Sequence, residues 1–126
     1  MERKIKIISD TIEIEAGLLS SPTADAIWKA LPFTAQANIW GDEIYFTIPV
    51  QAGLDETAAE VVENGDLGYW PSGPAFCIFF GPTPISRPGE IRPASAVNIF
   101  GKIAEDTSVL KQIASGSMIE VKKARD

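Results

Sequence analysis

GDLGYWPSGPAFCIFFGPTPIS, residues 65 to 86, decides the fold, for it holds five aromatics, four prolines, four glycines and the only cysteine of the chain. Asp66 to Trp70 and Ala75 to Phe80 read as two strands, because aromatic and branched side chains pack well on a pleated surface. Pro71-Ser-Gly-Pro74 between them supplies the turn, proline pre-setting φ and glycine relaxing it. Alternation along the second strand sends Phe76, Ile78 and Phe80 to one face and Cys77 and Phe79 to the other. Both faces are apolar, so this strand is expected to be covered on both sides.

The pattern continues outward in both directions. Arg3 to Ile8 and Thr11 to Glu15 alternate around a Ser9-Asp10 turn, with Ile5, Ile7, Ile12 and Ile14 inward, which predicts a hairpin. Ser21-Pro22 offers an N-cap and a first-turn proline for a helix whose apolar face is Ile27, Ala30 and Leu31, stopped by Pro32. Ala37 to Trp40, the turn Gly41-Asp42 and Glu43 to Pro49 predict a second hairpin, with Ile44, Phe46 and Ile48 on one face. Residues 54 to 66 read as a short helical turn leading into a short strand, Asn64-Gly65 marking a tight turn. Residues 81 to 95 form a long proline-rich loop. Val97 to Ile103 is a strand, Asp106 or Thr107 caps a helix through Ser115 that Gly116 ends, and Ser117 to Lys123 is the last strand. About eight short strands and two helices suit a closed barrel.

Composition narrows the chemistry. A chain of 126 residues fits a single domain, 1–126, with one core. Sixteen Ile and six Val against six Leu favour strands. The formal charge of −6 argues against nucleic acid and anionic lipid partners, and no apolar run reaches the ~20 residues of a membrane span. A lone cysteine and the lack of an export-like start lead to the expectation of a reducing cytoplasm. The chain contains no histidine, which removes Ser-His and Cys-His nucleophiles, imidazole acid-base work and His-ligated metals. No cofactor or metal is expected.

Four features remain as candidates. Asp55, Glu56, Glu60, Glu63 and Asp66 cluster without a basic residue among them, but their spacing matches no ion loop and reads as solvated charge. Cys77 between Phe76 and Ile78 reads as an inert core thiol. Ser86, Arg87, Glu90 and Arg92 bring both signs of charge to one stiff loop, where two guanidiniums could grip a carboxylate or phosphate, or merely keep the loop soluble. Tyr69, Trp70, Phe76, Phe79 and Phe80 could wall an apolar pocket or fill the core.

Val97-Asn-Ile-Phe100-Gly101-Lys102-Ile103, with an acidic turn after it, resembles the Val-Phe-Gly-Lys-Val strand of the cyclophilins. Pro22 to Leu31 looks like their first helix, and Glu63-Asn-Gly65-Asp66 like their Gln-Gly-Gly-Asp turn. Gly65 to Pro71 together with Ala75 to Pro84 resembles more closely a small prokaryotic family of minimal cyclophilin-like proteins, whose role is unsettled. The resemblance implies a closed eight-stranded β-barrel with two capping α-helices. It implies no catalytic residue: Asp55 lies near the position of the cyclophilin arginine, Glu63 replaces the glutamine and Val97 the histidine. A binding module is therefore expected, holding a peptide segment or small ligand in a barrel-side groove formed from Tyr69, Trp70, Phe80, Thr83, Pro84, Arg87 and Arg92. The alternatives are a divergent peptidyl-prolyl cis-trans isomerase and an accessory subunit of a larger assembly.

Overall fold

In the computed structural model, which describes residues 3–124, mainly antiparallel strands wrap around one large apolar core. Strands β1 (Lys4–Ser9) and β2 (Ile12–Leu18) form the first hairpin, with Asp10 in the left-handed conformation (φ 53°) at its turn. Helix α1 (Pro22–Ala30) begins where Ser21 Oγ accepts a hydrogen bond from the Ala24 amide at 3.1 Å and ends at Leu31, before Pro32. Its Ala24 and Ile27 enter the core. Eight further strands follow: β3 (Phe33–Gln36), β4 (Asn38–Ile39), β5 (Glu43–Thr47), β6 (Ala58–Ala59), β7 (Asp66–Trp70), β8 (Ala75–Phe79), β9 (Val97–Ile103) and β10 (Met118–Lys123).

The strand order is β3-β10-β1-β2-β9-β7-β8-β5-β4, with β6 pairing β9 as a side branch. This corrects the expected closed eight-stranded barrel: ten strands are present among the described residues, and no ladder joins β3 to β4. The reason lies at Ala37. β3 and β4 are two pieces of one extended segment, which cannot pair with itself; it runs first beside β10 and then beside β5. At the join the Ala37 amide donates to Ser117 O and its carbonyl accepts from the Gly116 amide, both at 2.8 Å, so the segment is pinned where it changes partner.

Two other expectations are corrected. The second helix is a 3-10 helix, Thr107–Gln112, capped by Asp106. Its Thr, Ser and Val are weak α-formers, and the Gly116 bond to Ala37 draws the chain away after two turns. Residues 54 to 59 form a non-helical turn and then β6, because the Asp55 carboxylate caps the Thr57 amide (2.8 Å) and Ala58–Ala59 are drawn onto β9. That pairing satisfies backbone groups that a single helical turn would leave open.

Alternation divides the apolar residues as the sequence implies. Phe76, Ile78 and Phe80 join the interior core, where Phe46 stacks on Phe76 (4.9 Å) and Phe100 meets it edge-on (5.0 Å). Cys77 and Phe79 point the other way, into a second cluster with Val62, Ala75 and Val97 on the outer face. A register shift between Leu67 and Gly68 leaves Phe100 without a direct partner on β7. This bulge changes the parity of β9, so that Phe100 and Ile103, three residues apart, both face inward while Lys102 faces out.

Candidate functional site

The outer cluster is roofed by the proline-rich loop. Phe80 and Asp42 exchange backbone bonds with the turn and the loop start (Phe80 N to Asp42 O, 3.0 Å; Asp42 N to Pro82 O, 2.9 Å), fixing where the loop departs. Val62 bridges Ile91, and Trp70 Nε1 donates to Ser95 Oγ at 2.6 Å, fixing where it returns. A cavity of about 130 Å³, partly open to solvent, remains between the loop and the sheet.

The residues lining it come from four strands and two connections. Trp40 and Glu43 exchange both backbone hydrogen bonds (2.9 and 3.2 Å) across Gly41-Asp42, with Gly41 at φ 61° allowing so tight a turn. Opposed residues share a face, so both side chains reach the cavity. Tyr45 follows two positions later, opposite Cys77 on β8. Trp70 ends β7, Val97 begins β9, and Pro93-Ala94 of the loop complete the lining.

Glu43 is the chemical centre of this cleft. It is only 5% exposed, and its Oε1 has no hydrogen-bond partner among the described residues. Burial pushes its carboxyl up to about 7, and the nearby Cys77 thiol offsets only part of that. The thiol donates weakly to the Ala75 carbonyl at 4.0 Å. Burial and the adjacent Glu43 push Cys77 well above the ordinary thiol range, so it is neutral and unreactive. Among the described residues, no basic side chain lines the cleft.

The residues expected to bind ligand are dispersed. Tyr69 is fully buried in the interior, where its hydroxyl donates to Val50 O (2.7 Å) and accepts from the Ala52 amide (3.1 Å). Phe80 belongs to the same interior core. Thr83 is buried beneath the loop: its hydroxyl donates to the Arg92 carbonyl and pairs with Ser86 Oγ, which also accepts from the Thr83 and Arg92 amides. Pro84 is exposed on the outside of the loop, against the Gly41 turn. The Arg92 guanidinium is taken by Glu90 in a two-pronged pair (2.7 and 3.3 Å), which holds the Glu90 carboxyl below its usual range. Arg87 is exposed. Trp70 is the one expected site residue that lines the cleft.

Of the positions corresponding to isomerase residues, only Val97 reaches the cleft. Asp55 accepts from Thr23 Oγ1 (2.7 Å) and from Thr57, while fully buried Asn98 ties Thr23, Gly53 O and the Asp55 amide together. Burial raises the Asp55 carboxyl, but the bonds from Thr57 and Thr23 outweigh it and the net direction is down. Glu63 pairs with Lys102 at 2.8 Å, and Lys102 also reaches Asp66 at 3.3 Å. Thus the acidic run has a basic partner from β9, and no group of three or more metal-ligating side chains occurs among the described residues.

The cyclophilin-like family matches residues 3–122. The chain belongs to the cyclophilin-like family. Among solved structures, this cyclophilin-like chain is similar to the solution structure of a hypothetical protein from Archaeoglobus fulgidus, at 44% identity and a TM-score of 0.83. The match covers 98% of this chain and 95% of that one. No curated protein matches.

Sequence reading missed Trp40, Glu43 and Tyr45 because it assigned a buried role only to the Ile44, Phe46 and Ile48 face of that hairpin. The signal was present in β8. A strand apolar on both faces requires a cover on its outer side, and the cover extends to the neighbouring strand; a Glu on that side is then buried.

Proposed function

We propose that this cyclophilin-like protein is a binding module for a small, largely apolar molecule, which it holds without turnover in the cleft beneath the 81–95 loop. The supporting observation is Glu43 Oε1, a buried polar atom left without a partner inside a cleft walled by Trp40, Tyr45 and Trp70. Buried polar atoms nearly always have partners, and ligand sites characteristically combine aromatic walls with a few convergent polar groups. The cavity is close to the size at which an apolar void of about 150 Å³ takes up one benzene ring. That favours a small ligand or one side chain over a peptide segment.

Isomerase chemistry lacks support in this cleft. Twisting a prolyl amide needs a cation or donor near its oxygen, whereas Asp55, Glu63 and Val97 stand at the corresponding positions and Glu43 carries the opposite sign. A proline-peptide isomerisation assay should run at the uncatalysed rate. Catalysis well above that rate, lost in Arg87→Ala or Arg92→Ala, would restore the isomerase reading.

Binding is tested by amide chemical shifts with phenol, cyclohexanol, benzoate and benzylamine at millimolar concentration. At least one should shift Trp40, Tyr45, Trp70 and Val97 while leaving the β1–β2 hairpin unmoved. Silence from all four compounds at these residues sinks the proposal.

A further inference from the structure

We infer that the cleft is a receptor for a small organic ammonium ion, held by the Glu43 carboxylate among the rings of Trp40, Tyr45 and Trp70. This rests on reading the cleft as a ligand site and names the chemistry of its ligand.

The inference follows from charge. Glu43 is nine-tenths buried, and among the described residues its Oε1 has no partner and no Lys or Arg lines the cavity to neutralise it. An unpaired carboxylate in such a place is costly, and a cation entering from outside supplies the missing counter-charge. A compact inorganic ion does not fit the rest of the lining: hard cations need several oxygen ligands, and here one carboxylate stands among rings, Pro93, Ala94 and Val97. A methylated or otherwise apolar ammonium fits better. Its charge is spread over a greasy surface, which the faces of Trp and Tyr attract through their quadrupoles while the apolar rim covers its carbons. The net charge of −6 also draws cations toward the protein.

The direction in which Glu43 is shifted agrees with this. Without a cation, burial favours its protonated form, with the midpoint at about 7. Binding a cation favours the carboxylate, so affinity should rise with pH through neutrality. Tyr45 on β5 and Cys77 on β8 are the other titratable side chains lining the cavity; the segments of β7, β9 and the loop contribute none.

The test uses choline and its uncharged carbon isostere 3,3-dimethylbutan-1-ol, titrated into the full chain and followed by amide shifts and tryptophan fluorescence. Choline keeps its charge at every pH, so any pH dependence belongs to the protein. At pH 8 choline should bind at least about tenfold more tightly than the isostere, with shifts centred on Trp40, Glu43, Tyr45 and Trp70. The preference should shrink at pH 5.5 and shrink likewise at pH 8 in Glu43→Gln, whose neutral amide keeps the shape of the side chain while the rings still attract the cation. Equal binding of the two compounds, or a preference that is undiminished in Glu43→Gln, overturns the ammonium assignment while leaving the cleft as a ligand site. If neither compound shifts cleft residues up to about 50 mM, where a ~1 mM site is saturated, the ammonium assignment falls. Binding of phenol or cyclohexanol then decides whether the small-ligand reading falls with it.

Discussion

Glu43 and Gly68 show how single residues shape the outer face of the sheet. A Cβ on Gly68 would stand 2.7 Å from Val97 Cγ2 and 3.1 Å from Phe79 Cε2, so the glycine allows the loop-covered cluster to pack against β7. Gly68→Ala should therefore lower stability by about 1–3 kcal/mol, as an overpacked core does, and chemical denaturation measures it. An unchanged denaturation midpoint would mean that Val97 and Phe79 move aside freely. Several residue-level assignments were legible beforehand: Ser21 as a cap, Cys77 as a buried inert thiol, and the inward alternation of Phe76, Ile78 and Phe80. Tyr69 was ambiguous, because a tyrosine at a strand position serves equally as wall or core until its hydroxyl partners are known. Those partners, Val50 and Ala52, lie 19 and 17 residues away.

Among the elements, the 81–95 loop departs furthest from its sequence reading. In the sequence its polar groups read as a grip for an anion or as a means of keeping the loop soluble, yet Thr83, Ser86 and the Arg92 backbone bond to one another, making the loop a self-braced cover. Thr83→Val keeps the side-chain shape while removing the hydroxyl's bonds to Ser86 Oγ and the Arg92 carbonyl. Leaving such buried groups unpaired costs about 1–3 kcal/mol. The cost should be local: amide hydrogen exchange should accelerate at residues 83 to 92 and stay slow in β5 and β8. Acceleration spread evenly over the sheet would show instead that loop and core open together. The hairpins, α1 and the long strands were legible because their periodicity and caps are local. The 3-10 form of Thr107–Gln112 and the non-helical turn before β6 were not, since a hydrogen bond to Ala37 and a pairing with β9 decide them, and both partners are remote in the chain.

For the whole molecule, the clearest consequence is the pH dependence of folding. Glu43 has its carboxyl raised by burial to about 7, against 4.5 when unperturbed. The folded state thus keeps a proton that the unfolded chain has already lost. Stability from this group is full below about pH 4.5 and is lost as pH rises through 7, on the order of 3 kcal/mol. Asp55, Glu63, Glu90 and Asp106 are shifted down, so their contributions are present at neutral pH and are lost only as pH falls into the acid range. The melting temperature should peak near pH 5 and decline as pH rises to about 7, levelling above it. In Glu43→Gln this decline should flatten; parallel curves for the two proteins would remove Glu43 as its cause. By itself the sequence determined the strand-rich class, the alternation of the core strands, the lack of imidazole chemistry and the cyclophilin-like resemblance, because these rest on residue type and short-range period. Only the tertiary structure decided that the sheet stays open at Ala37, that the Arg92 guanidinium is taken by Glu90 within the loop, and that Glu43 Oε1, among aromatics, finds no partner in the described residues. The physical reason is that burial and hydrogen-bond satisfaction depend on which distant segments cover a residue, and a solvated-looking glutamate becomes the centre of a cleft once the stretch after GDLGYWPSGPAFCIFF folds back over it.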